Sequence, residues 1–131
     1  DHNNTKVFRY ADAILMMAEC YLELDDTDNA MRYLNMVKDR AQIARYETFK
    51  NYDHLHEEIE RERARELFGE FQRKYDLVRW GSWYRQTFDY TDYKSLQDNI
   101  LPCHEYYPIP DKEVTYSGNA LDNDAYAEWG L

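Results

Sequence analysis

Between Tyr10 and Leu24 only three charged side chains, Asp12, Glu19 and Glu23, interrupt a run of apolar and aromatic residues. These acids are spaced seven and four apart, so a helix over Phe8–Leu24 gathers them on one narrow stripe. The rest of its circumference is apolar, and a helix of that kind is buried on most sides. Asp25-Asp26-Thr27-Asp28 then breaks the pattern with side chains that prefer turns and N-caps. A second helix, from about Asp28 to Ala41, carries Ala30, Tyr33, Leu34, Val37 and Ala41 at 3–4–3–4 spacing, which is one clean face. The short break makes the two helices antiparallel neighbours.

After a less regular stretch, Gln42–Lys50, the pattern predicts a third helix from about Tyr52 to Phe71. Its middle is almost all charge. Glu57/Arg61, Glu58/Arg61, Glu60/Arg63, Glu62/Arg65 and Arg63/Glu66 stand three or four apart, each pair worth about 0.2–0.5 kcal/mol on a solvated face. Arginines at 61, 63 and 65 nevertheless point around the whole cylinder, so some of them face protein. A short continuation, Arg73 to Trp80, ends at Gly81, which suits the position just past a helix. From Asp89 onward the chain holds nine acids, two lysines, all three prolines and seven Tyr or Trp residues. That segment reads as ordered loop with short helical turns, packed by its aromatics. The predicted fold class is mainly α. It comprises an antiparallel helix pair (8–41), further helices (52–81) and a long loop-rich C-terminal segment (82–131).

The chain has 131 residues, which fits one domain. Its net charge of -10 excludes a nucleic-acid grip, which needs a basic face, and docking on anionic lipid. No apolar run approaches the roughly 20 residues that span a bilayer. Cys20 and Cys103 make no disulfide framework, and each reads as a small buried hydrophobe. The opening DHNNTKVF has no initiator Met and no signal-peptide pattern, and reads as a piece cut from a longer protein. Catalytic and metal chemistry find no purchase in the spacing. His54 and His56 are two apart on a helix and point to nearly opposite faces. Asp26-Thr27-Asp28 opens like a calcium loop, but Met31 stands where the loop needs glycine and Val37 where it needs glutamate. No metal-binding, nucleophile-elbow or phosphate-cradling motif occurs. The expectation is no catalytic residue, no metal and no cofactor.

Two resemblances carry the reading further. Ala18, Tyr21, Ala30 and Leu34 are similar to the small–aromatic–small–large spacing of a tetratricopeptide (TPR) repeat, without a second copy 34 residues on. By itself this pair implies a TPR-like protein–protein interaction module. The second resemblance covers Phe8 to Tyr126. Glu62-Arg63-Ala64-Arg65-Glu66-Leu67, Glu70, and Arg73 through Asp76-Leu77, Arg79-Trp80-Gly81 resemble the signature of the SusD/RagB family, with Phe71 where glycine is more usual. Tyr107-Pro108-Ile109-Pro110 through Val114, and Asn119 through Tyr126, resemble the two later motifs of that family, with Asn123 kept and Ala125 in place of glycine.

Membership would imply the C-terminal part of a non-catalytic surface lipoprotein of the outer membrane. Such a protein binds oligosaccharide or polysaccharide, or in some members peptide, and caps a SusC-like TonB-dependent transporter. The lipid anchor would lie outside these 131 residues, since neither cysteine can carry it. Glu62, Arg63, Glu66, Glu70, Arg73, Asp76, Arg79, Trp80, Pro108 and Pro110 would be structural. The arginines reach carboxylate partners such as Glu66, Glu70 or Asp76 in bidentate forks that fix helix angles. The prolines hold Ile109 extended. The departure at Phe71 should alter local packing only. Outside the motifs, Trp83, Tyr84, Tyr90 and Tyr93 are the candidate ligand-binding residues. Their rings offer flat apolar faces with polar edges to a pyranose, beside Asp and Gln side chains.

Overall fold

The apolar run folds as α1 (Tyr10–Glu23) and its neighbour as α2 (Thr27–Arg40), joined through Asp25 in the left-handed region (φ 59). The computed structural model describes residues 7–130, and every regular element among them is helical. Asp26 caps α2 by accepting from the Asn29 N–H at 3.1 Å, and Asn51 caps α3 (Tyr52–Glu66) by accepting from the His54 N–H at 3.0 Å. Then follow α4 (Arg73–Arg79), α5 (Trp83–Asp89), α6 (Lys94–Asn99), a 3-10 turn (Pro102–Glu105), α7 (Asp111–Tyr116) and α8 (Asp124–Ala127). The chain separates into two compact units between Arg73 and Lys74. That divide falls inside the stretch 52–81 that the sequence groups together.

In the first unit Leu15, Ala18 and Leu22 of α1 meet Ala30, Leu34 and Val37 of α2 and Leu55 and Ile59 of α3, all essentially inaccessible to solvent. At about 1.5–3 kcal/mol for each large aliphatic side chain, this cluster is the main stabilising feature of the unit. Ala18, Ala30 and Leu34 of the TPR-like set are in it, and Tyr21 stacks on Tyr33 at 5.3 Å between ring centres. Ala41, expected on the same face, is exposed past the end of α2.

Three expectations for α1 are corrected. The helix is not buried on most sides: Tyr10, Met16, Met17, Cys20 and Leu24 are exposed, because α2 and α3 cover only one side of it. Cys20 is therefore not a buried hydrophobe, whereas Cys103 is buried. Asp12, placed on the polar stripe by spacing, is instead buried against α3.

The irregular stretch after α2 is held by one side chain. Asn35 donates from Nδ2 to the Tyr46 carbonyl at 2.9 Å and accepts the Tyr46 N–H on Oδ1 at 2.9 Å. With its backbone clamped, Tyr46 turns its ring under the Lys38 ammonium, 4.1 Å from the centroid, and its hydroxyl donates to Glu58. Burial would raise the Glu58 carboxyl, but the Tyr46 hydroxyl and Arg61 outweigh it and hold the group below the usual carboxylate range. Tyr52 donates to Glu23 at 2.6 Å, tying the start of α3 to the end of α1, and this hydrogen bond pushes its own hydroxyl up to about 12.

Candidate functional site

The charged signature builds a brace within the first unit. Arg63, 4% exposed, sits on α3 with Nη2 2.8 Å from the Asp12 carboxylate of α1. This is the inward-facing arginine that the charge pattern requires. Glu62, equally buried, faces Arg65 at 3.1 Å and Lys38 at 4.0 Å. Glu66 and Glu70, expected to pair with Arg63 or Arg73, are gripped by Arg9. Its Nε donates to both Glu70 oxygens at 2.8 and 3.0 Å, and its Nη1 to Glu66 at 2.7 Å. Nη2 reaches the Glu66 carbonyl at 2.5 Å, and Arg40 closes the Glu66 carboxylate from the other side at 2.5 Å. The two carboxylates hold the Arg9 guanidinium more firmly protonated than an ordinary arginine. Sequence reasoning missed Arg9 and Asp12, since each lies more than 50 residues from its partner and no local spacing links them. Arg73 donates to the Glu60 carbonyl at 3.5 Å.

The helix predicted to run to Phe71 stops at Glu66. Gly69 (φ 76) and Phe71 (φ 61) take left-handed backbone and make a turn before α4. Phe68 and Phe71 are 88% and 91% exposed. The departure at position 71 therefore acts on the backbone, where an L residue is strained, and not on local packing.

In the second unit, Arg79 binds Asp76 at 3.0 Å within α4 and lies over the Trp80 ring at 4.7 Å. Gly81 (φ 63) ends the helix, with the Ser82 N–H donating to the Leu77 carbonyl at 2.9 Å. This wrap is the Schellman geometry glycine favours. Leu77, Trp83 and Ile100 form the core of the unit, with Trp80 and Tyr84 packed against it. Trp80 is thus half-buried packing, as expected of it.

The four candidate ligand residues do not form one platform. Trp83 and Tyr84 lie on α5, not in a loop. Trp83 is buried, with the Lys74 ammonium 5.2 Å from its ring centre, so it has no free face for a sugar. Tyr84 is half-buried and tilted against Phe88 at 5.9 Å. Tyr90 and Tyr93 flank the turn between α5 and α6 and are 82% and 76% exposed. This turn is pinned from beneath: the Gln97 amide donates to the Phe88 and Thr91 carbonyls, both at 3.2 Å. Gln97 thereby holds the backbone of the turn from which both rings project. The rings of the later segment, expected to pack it, are mostly solvent-facing, with Tyr106, Tyr107 and Tyr116 all strongly exposed.

Pro108 and Pro110 hold Ile109 between them, and Asn123 saturates it, accepting the Ile109 N–H at 2.8 Å and donating to its carbonyl at 2.9 Å. Tyr126 adds a hydroxyl bond to the Tyr106 carbonyl at 2.5 Å. Lys74 lies 4.0 Å from the Tyr107 ring centre and donates to the His104 carbonyl at 3.3 Å. Ile109, between the two prolines, is therefore fixed at both of its backbone groups. Among the described residues no cluster of three metal-ligating side chains occurs, and no helix is long and apolar enough to cross a membrane.

The sequence profile of the SusD family matches residues 1–126. The SusD-like protein P25 of Formosa agariphila is 40% identical over 128 residues, an alignment covering 94% of this chain and 24% of that protein. A crystal structure of a SusD superfamily protein from Bacteroides vulgatus matches with a TM-score of 0.72 at 33% identity, covering 83% of this chain and 25% of the other. The chain spans about a quarter of the length of these relatives.

Proposed function

The chain belongs to the SusD family, and on that premise we propose that it is the C-terminal part of a non-catalytic nutrient-binding protein that captures glycans at the bacterial surface. In this reading a lipid anchor outside these residues holds the protein on the outer membrane, where it caps a SusC-like TonB-dependent transporter. The observation that carries the reading is the family match along residues 1–126. Within the chain, Tyr90 and Tyr93 are the ligand-facing rings, supported by their exposure on a turn that Gln97 stiffens. A ring held in place loses little freedom when a sugar stacks on it, so more of the contact energy appears as affinity.

Glycan-array binding of the full-length protein, followed by calorimetry on the hits, tests this. Tyr90→Ala and Tyr93→Ala should each weaken glycan affinity about 2- to 12-fold, from ~0.5–1.5 kcal/mol for a lost aromatic contact. Melting temperature should not change, since neither ring is buried. Trp83→Ala, by contrast, should lower the melting temperature. Full affinity in the Tyr90→Ala/Tyr93→Ala double variant would remove these rings from the ligand surface. Binding of peptides with no glycan hit would replace glycan by peptide as the nutrient.

A further inference from the structure

We infer that the Tyr90–Tyr93 surface selects neutral glycans over glycans bearing carboxylate or sulfate groups. The inference rests on the proposed glycan reading and adds the substrate class. In the order Asp89-Tyr90-Thr91-Asp92-Tyr93 each exposed ring directly follows an exposed aspartate. Lys94, the next cation, is taken up by Asp98 at 2.6 Å. Arg85, one turn before Asp89 on α5, is a single exposed positive charge against the two carboxylates. The wider segment does not redress the balance, because residues 89–131 hold nine acids and two lysines. The carboxylates cannot drift away with the backbone either, since Gln97 holds the Phe88 and Thr91 carbonyls on both sides of the turn.

Each ring is one residue from its aspartate, and at a separation of roughly 7 Å a charged sugar substituent already feels that carboxylate through water. A hydroxyl or hydroxymethyl group there carries no charge and meets no opposition. A carboxylate or sulfate meets a like charge instead. At that distance in water the repulsion weakens binding about threefold for one aspartate and just under tenfold for both. The tyrosine hydroxyls cannot offset this, being neutral donors rather than cations.

The test uses the full-length protein with charge-matched pairs of oligosaccharides: oligogalacturonate beside its methyl ester, and neutral xylan oligomers beside their glucuronate-substituted forms. The wider array adds sulfated glycans. At low salt the neutral member should bind about three- to tenfold more tightly. In 1 M NaCl, where the screening length falls to ~3 Å, that ratio should approach one. Asp89→Asn/Asp92→Asn should also bring the low-salt ratio toward one, while keeping side-chain hydrogen bonding and size. Equal or tighter binding of the charged members at low salt overturns the selectivity and leaves the glycan reading standing. So does a ratio that the double variant does not move. An array on which no glycan binds overturns both.

Discussion

Phe71 stands in left-handed backbone with its ring in solvent, so replacing it with glycine should stabilise the protein even though a large aromatic is lost. An L residue at φ 61 costs about 1–2 kcal/mol relative to ordinary backbone, and glycine does not pay that cost. Against this, glycine is more flexible in the unfolded chain, worth about 0.5–1 kcal/mol. The ring is 91% exposed, so deleting it forfeits roughly a tenth of a full burial energy of ~2–3 kcal/mol. The balance favours Phe71→Gly by about 0.5 kcal/mol, or ~2 °C in melting temperature. Phe71→Ala separates the two contributions, because it removes the ring and keeps the Cβ. It should be slightly destabilising, by about 0.2 kcal/mol. Gly69→Ala gives the opposite sign: nothing lies within 4 Å of the added Cβ, so its cost at φ 76 of about 0.5–1 kcal/mol is purely conformational. Urea denaturation followed by far-UV circular dichroism, on all three variants beside the parent, reads these differences. Phe71→Gly no more stable than Phe71→Ala would refute the strain argument, and a loss in Phe71→Ala well above about 0.2 kcal/mol would show that the ring has a partner in the folded protein.

Asp12→Ala should destabilise by about 3–5 kcal/mol in the same denaturation assay, because it removes the carboxylate 2.8 Å from the buried Arg63 guanidinium; a loss under 1 kcal/mol would place that charge in water. Glu58 has a folded-state pKa below the usual carboxylate value, so its contribution is fully present above about pH 4.3 and disappears as the pH falls through the folded value. Glu58→Gln should therefore lose less stability than the parent between pH 6 and pH 3. An unchanged slope would mean that Tyr46 and Arg61 do not favour the ionised form.

Legibility in the sequence followed the range of the interactions. The second helix was readable because its face repeats every three or four residues and its partner is next in the chain. The inward turn of Arg63 was readable too, since three arginines at alternate positions cannot all reach water from one helix. The identity of its partner was not, because Asp12 lies on another helix and looks like part of a solvated stripe. Arg9 was hidden for the same reason. The asparagine clamps at Asn35 and Asn123 were invisible to periodicity, since a side-chain amide that pairs with extended backbone leaves no spacing signature. The aromatic residues were misjudged in the opposite direction. Ring content suggested packing throughout the last third of the chain, whereas most of those rings are exposed and only Trp83 and its neighbours form a core.

What the two units leave in solvent differs in kind, and the difference bears on how each is used. The first unit exposes mostly side chains with no polar edge, Val7, Phe8, Met16, Met17, Leu24, Phe68 and Phe71, beside Tyr10 and Tyr52. On α1 the exposed Tyr10, Ala13, Met17, Cys20 and Leu24 repeat at 3–4–3–4 spacing, the same periodicity as the face that packs on α2. Such a stripe gains nothing from a hydroxylated ligand, and it matches the surface of another helix. The second unit exposes chiefly tyrosines, at 75, 90, 93, 106, 107 and 116. Each combines a flat apolar face with a hydrogen-bonding edge. Tyr90 and Tyr93 flank backbone that Gln97 holds, and Tyr126 holds the Tyr106 carbonyl. The two units thus present different surface chemistry, mainly aliphatic, thioether and phenyl groups on the first and mainly phenol rings on the second.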